Sequence, residues 1–165
     1  MFELSDYFLF VVNDFTSLDQ RYLDKLTRTL QNSPNKNFRE VIVVHNFKEI
    51  ESQEILDHTW ETQVKQIYQA GHEQKTKVAA RNPLTGALEE KQVNWFKSPY
   101  TRHVCLANQD SILGYNQNPW TYSLLRYWLK AVLVPLNRNF SVVDSVLQIS
   151  NNKLTSYFKH SINLV

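Results

Sequence analysis

Three short stretches of the chain are continuously apolar: Tyr7 to Val12, Val41 to His45 and His103 to Ala107. None shows the polar alternation of a strand with one wet face. Runs of this kind predict strands buried on both sides, as in a parallel sheet covered by helices. Helical patterns follow each of them. Thr16 is a plausible N-cap with Asp19 in the first turn, and Leu18, Tyr22, Leu23, Leu26 and Leu30 recur at helical spacing up to Asn32-Ser33-Pro34-Asn35. Ser52 caps a second helix, with Glu54 in its opening turn; Ile55, Leu56, Trp60, Val64, Ile67 and Tyr68 line one side and Gly71 ends it. Asn118-Pro119 predicts the start of a third, whose apolar face is Trp120, Leu124, Leu125, Trp128, Leu129 and Val132, with Pro135 as its stop.

Two segments depart from this rhythm. Thr76 to Arg81 and Ala87 to Phe96 flank the turn signal Asn82-Pro83-Leu84-Thr85-Gly86, which predicts an inserted β-hairpin. Beyond Pro135, the residues Val143, Val146, Leu147, Leu154, Phe158 and Ile162 predict a C-terminal helix. The expected fold class is therefore α/β: a parallel sheet with flanking helices and right-handed crossovers. Residues 1–135 would form the main domain, with the hairpin insertion over about 75–97, and residues 136–165 a helical extension.

Composition narrows the function classes. A chain of 165 residues that is 42% hydrophobic is long and apolar enough for one real core. Its formal charge is +2, from 18 basic and 16 acidic side chains, which argues against a dedicated nucleic-acid binder. The apolar run at the N-terminus follows Glu3 and Asp6 rather than basic residues, unlike a signal peptide, and is too short for a membrane span of about 20 residues. Cys105 is the sole cysteine, so no intrachain disulfide can form. These features together predict an intracellular, cytoplasmic protein.

Candidate chemistry begins at the end of the second strand, in Val41-Ile42-Val43-Val44-His45-Asn46-Phe47-Lys48-Glu49-Ile50. With Cys105-Leu106-Ala107-Asn108 and Ser5-Asp6-Tyr7-Phe8-Leu9-Phe10-Val11-Val12-Asn13-Asp14, it resembles the C-terminal half of a P-loop GTPase domain of the large atlastin and dynamin kind. The likeness spans roughly residues 5 to 134 and rests on order and spacing. It implies that Asn46 and Glu49 stand for the Asn and Asp of the guanine-reading Asn-Lys-x-Asp loop, with Phe47 in place of its Lys. It further implies that Ala107 offers a backbone N–H to the guanine carbonyl and that Asn108 replaces the Lys of Ser-Ala-Lys. A carboxylate beyond the carboxyl end of a parallel strand can accept two hydrogen bonds from the guanine N1–H and N2–H₂ edge, which adenine lacks. Asn46, Phe47, Glu49, Ala107 and Asn108 are thus the candidate nucleotide contacts, and GTP or GDP the expected ligand.

The other half of such a domain is not written in this sequence. There is no Gly-x-x-x-x-Gly-Lys-Ser/Thr. Tyr68, Pro83 and Ser111 stand three residues before Gly71, Gly86 and Gly114, so no Asp-x-x-Gly exists either. With no phosphate grip and no identifiable magnesium ligand, the chain by itself is expected to bind nucleotide weakly and to catalyse nothing; it would act as a GTPase only with a P-loop-bearing upstream segment or partner. The strand Tyr7 to Val12 would then be an open apolar edge, to be covered by an upstream segment, a second chain or self-association. The alternative is a nucleotide-free relic of the fold, serving as a protein-interaction module or complex subunit.

Other chemistry is thinner. Five histidines are present, yet no His-Glu-x-x-His, and Glu54 with His58 reads as a surface pair on a helix. His45, just before the loop, is expected to orient it. Cys105 reads as a buried strand residue rather than a nucleophile. The hairpin region interleaves Lys75, Lys77, Arg81, Lys91, Lys97 and Arg102 with Trp95 and Tyr100, diluted by Glu73, Glu89 and Glu90; it suits a solvated or protein-binding hairpin better than an RNA site.

Overall fold

The computed structural model describes residues 8–13, 16–32, 40–68 and 71–132, together with Ser150. All but Ser150 belong to the unit Tyr7–Val134. The expected C-terminal helix and Tyr7 lie outside the described residues.

Strand β1 (Phe8–Val12) is followed by helix α1 (Ser17–Gln31), strand β2 (Val41–Phe47) and helix α2 (Gln53–Trp60), which a π-helical turn, Glu61–Lys65, continues. Strands β3 (His72–Arg81), β4 (Leu88–Lys97) and β5 (Thr101–Ala107) come next, then helix α3 (Ile112–Tyr127) and a second π-helical turn, Trp128–Val132. The sheet order is β1-β2-β5-β4-β3. β1 and β5 both run parallel to β2, in registers that pair Val12 with His45 and Phe47 with Ala107.

The parallel pairing of β1, β2 and β5 matches the expectation, but β1 is not buried on both sides, since Leu9 and Val11 are exposed, and the sheet is mixed. The hairpin does not stand apart as an insertion: β4 joins β5 antiparallel through Phe96–His103 and Lys97–Arg102. Beyond those two pairs β4 departs from β5, and the β3–β4 hairpin leans on α3 and the π-helical turn that continues it. There Trp95 meets Trp128 at 4.9 Å and the Tyr115 hydroxyl donates to the Pro83 carbonyl at 2.7 Å. The hairpin turn closes as read from Asn82 and Gly86: Asn82 Oδ1 accepts from the Leu84 amide, and Gly86 takes φ 71°, a left-handed conformation that glycine adopts without strain.

Period-two alternation along β2 divides the core. Val41 and Val43 pack with Val12, Leu23 and Leu26 on the α1 side. Ile42 and Val44 pack with Val104, Trp120, Leu124 and Trp128 on the α3 side. Both faces of β2 are therefore dry, which is why its sequence carries no polar alternation. Helix α1 starts as expected, with Thr16 and Asp19 exchanging backbone and side-chain bonds. Its inward stripe is narrower than predicted, since Leu18 and Tyr22 are exposed.

Helix α3 begins earlier than the Asn118-Pro119 signal suggests. Ser111 is its N-cap, with Oγ accepting from the Gly114 amide at 3.0 Å, and Pro119 sits inside the helix. Asn118, which reads as a cap residue, is used elsewhere: its side chain bonds both backbone groups of Ala107. Gly114 allows the helix to start so close to the preceding loop, since a Cβ there would stand 1.9 Å from the Asn108 carbonyl oxygen.

Candidate functional site at the carboxyl ends of the parallel strands

Strands β2 and β5 end side by side, so the loops that follow them share one mouth. The two loops are tied together. The Asn108 amide donates to the Ile50 carbonyl at 2.9 Å, and Asn108 Nδ2 donates to Glu51 Oε1 at 2.8 Å. Asn108 also shapes its own turn, accepting at Oδ1 from the Asp110 amide and at its carbonyl from Ser111. On the other side, Asn46 Nδ2 donates to Asn13 Oδ1 at 2.9 Å, linking the ends of β1 and β2. Three parallel strands are thereby joined at one end by asparagines.

The five predicted contacts divide in two. Asn46, Glu49 and Asn108 stand at the mouth. Glu49 is the open group: its side chain is 84% exposed, with the Lys48 ammonium 3.7 Å away. Phe47 is a core residue, 5% exposed, its ring stacked near His45 at 5.7 Å. It shares the inward face of Val41, Val43 and His45, so its ring has no access to a base above the mouth. The Ala107 N–H is already given to the buried Asn118 Oδ1 at 3.0 Å, and the Ala107 carbonyl accepts from Asn118 Nδ2 at 3.0 Å. A guanine carbonyl could take that N–H only by displacing Asn118.

Beneath the mouth lies a buried polar chain that sequence reading missed. His45 Nε2 and His103 Nδ1 are 3.0 Å apart, His103 Nε2 lies 2.7 Å from Thr101 Oγ1, and Thr101 contacts Ser98. Burial holds His45 down to about 3, and burial with the neighbouring His45 holds His103 well below its ordinary value. Both rings are neutral at pH 7, so one nitrogen donates and the other accepts at their contact. Tyr68 covers the His103 ring at 4.4 Å, and burial, then Asp24, raises its phenol. The spacing that could have revealed this pair is the register of β2 with β5, which puts Val43 opposite His103 and His45 two residues on, on the same face.

The chain matches no protein-family model, no curated protein and no solved structure.

Elsewhere the chemistry is quiet. Burial, then Asp57, pushes the Cys105 thiol up to about 12, which leaves it a poor nucleophile. Glu54 and His58 are both exposed on α2. Among the described residues no three His, Cys, Asp or Glu side chains gather as a metal site, and no helix is long and apolar enough to cross a membrane.

Proposed function

We propose that this chain is the base-recognition half of a guanine-nucleotide-binding, GTPase-like protein and is not catalytic by itself. One observation carries the reading. Three adjacent parallel strands of the sheet, β1, β2 and β5, end on the same side, and the loop after the middle strand holds the Glu49 carboxylate out in solvent while Asn108 ties that loop to its neighbour. A carboxylate in that position suits the paired donors of guanine and repels the acceptor edge of adenine. Asn46 and Asn108 fix the loops, and Glu49 reads the base. Phe47 and Ala107 are left out of the contact set by their packing. With base contacts alone the affinity is weak, and turnover needs a phosphate-gripping segment or partner.

A second reading has its own support. The Ala107 N–H is spent on Asn118, and β1 lies at the sheet edge with Leu9 51% and Val11 56% exposed. These favour a nucleotide-free interaction module whose partner covers β1. Measuring GDP against ADP binding for the parent chain and for Glu49→Gln separates the two. The base-reading proposal expects a guanine preference that Glu49→Gln abolishes. A preference untouched by that substitution, or no binding of either nucleotide in the millimolar range, sinks it.

A further inference from the structure

The departure of β4 from β5 opens a cleft of about 300 Å³ between the β3–β4 hairpin, α2 with its π-helical turn, and α3, in the size range of small-ligand sites. Its floor is apolar: Leu56, Trp60, Cys105 and Trp120. Its walls carry three carboxylates, Asp57, Glu61 and Glu73, against two ammonium groups, Lys65 and Lys91. The charges are not evenly paired. Lys65 sits between Glu61 at 2.8 Å and Glu73 at 2.9 Å, so one cation serves two anions. Asp57 receives the Gln53 amide on Oδ1 at 2.7 Å, a neutral donor that leaves its charge in place. The π-helical turn Glu61–Lys65 brings both of those charged side chains to the cleft, and such turns within helices recur at binding sites.

The opposite wall holds a cation of the chain's own. The Lys91 ammonium lies over the Trp120 ring, 5.7 Å from its centre. An indole face that already takes an ammonium, opposite a carboxylate not neutralised by any lysine of the cleft, is a site built for positive charge on an apolar body.

We propose that this cleft binds a small organic ammonium ion, its charged head at Asp57 and its apolar body between Trp60 and Trp120, in competition with Lys91. The proposal does not depend on nucleotide binding at the mouth. Phenethylamine is a suitable probe, with 3-phenylpropionate as the anion of similar shape. Both are titrated while the indole N–H signals of Trp60 and Trp120 are followed by NMR. The amine shifts those two signals and the acid does not. Asp57→Asn weakens amine binding by roughly 2- to 5-fold, and Lys91→Ala strengthens it by a similar factor because the Trp120 face is vacated. Asp57 and Lys91 are both exposed, so each variant is expected to keep the fold, as the untouched signals of Trp95 and Trp128 would report. Equal binding of the acid, indifference to Asp57→Asn, weaker binding in Lys91→Ala, or no shift of either indole by millimolar amine would each overturn it.

Discussion

His45 and His103 face each other on adjacent parallel strands, nitrogen to nitrogen at 3.0 Å, and both rings are fully buried. The pair extends through Thr101 to Ser98, a run of four buried polar side chains each in contact with the next. Such a network is stabilising only while the rings stay neutral.

The sign of the pH effect follows directly. Each histidine is held below its unfolded value near 6.5, His45 to about 3. The unfolded chain therefore binds protons that the folded chain refuses. Stability is complete above pH 6.5 and falls as pH drops from 6.5 toward 3, with a slope of up to about 1.4 kcal/mol per pH unit for each histidine. Urea unfolding between pH 5 and 8 should show a plateau above neutrality and a decline below pH 6.5. A flat profile down to pH 5 would contradict the buried neutral pair.

Asn118 holds the end of β5 to α3 with two buried hydrogen bonds. Asn118→Ala leaves the Ala107 N–H and carbonyl without that partner. At about 1–3 kcal/mol for each of the two buried groups left unsatisfied, the cost in denaturant unfolding should be about 2–6 kcal/mol. A loss below about 0.5 kcal/mol would mean that the backbone of Ala107 finds other partners.

Gly114→Ala pits two effects against each other. Helix propensity alone favours alanine by about 1 kcal/mol. The new Cβ, however, would meet the Asn108 carbonyl oxygen at 1.9 Å, a backbone atom that cannot swing aside like a side chain. Steric conflict wins, and the variant should lose about 1–3 kcal/mol and disturb the Asn108–Ser111 loop. Stabilisation on substitution would show that the loop and helix are not so closely packed.

Arg102 caps the edge-to-face pair of Trp95 and Trp128, with its guanidinium carbon 5.3 Å from each ring centre, and its Nε donates to Glu40. Lysine keeps the charge but has no flat group to lay against both indoles at once. Arg102→Lys should therefore cost about 1–2 kcal/mol by cation–π and bonding terms, measurable as a lower urea midpoint. Equal stability would mean that the flat guanidinium adds nothing beyond its charge.

Particular residues explain what could be read in advance. The parallel core was legible because Val41–Val44 and His103–Ala107 have no polar face to alternate with. Helices α1 and α2 announced themselves through Thr16 and Ser52. The start of α3 was obscured because Asn118-Pro119 carries the local chemistry of a cap, while its real use is a tertiary bond to Ala107. The inward turn of Phe47 was available in principle from its place two steps beyond His45, but motif spacing pointed outward. The joining of β4 to β5, and the cleft this leaves, depend on Phe96 meeting His103 and on residues from 53 to 121 converging, which no local pattern encodes.

Glu49 at the shared mouth of β2 and β5 is the centre of the functional account. Its most direct test is an NMR titration of the backbone amides with GDP and, separately, with ADP. The account predicts shifts confined to Asn46–Glu51 and Asn108–Ser111 with GDP and much smaller ones with ADP. Equal responses to both nucleotides, or shifts that leave those two loops untouched, would contradict it.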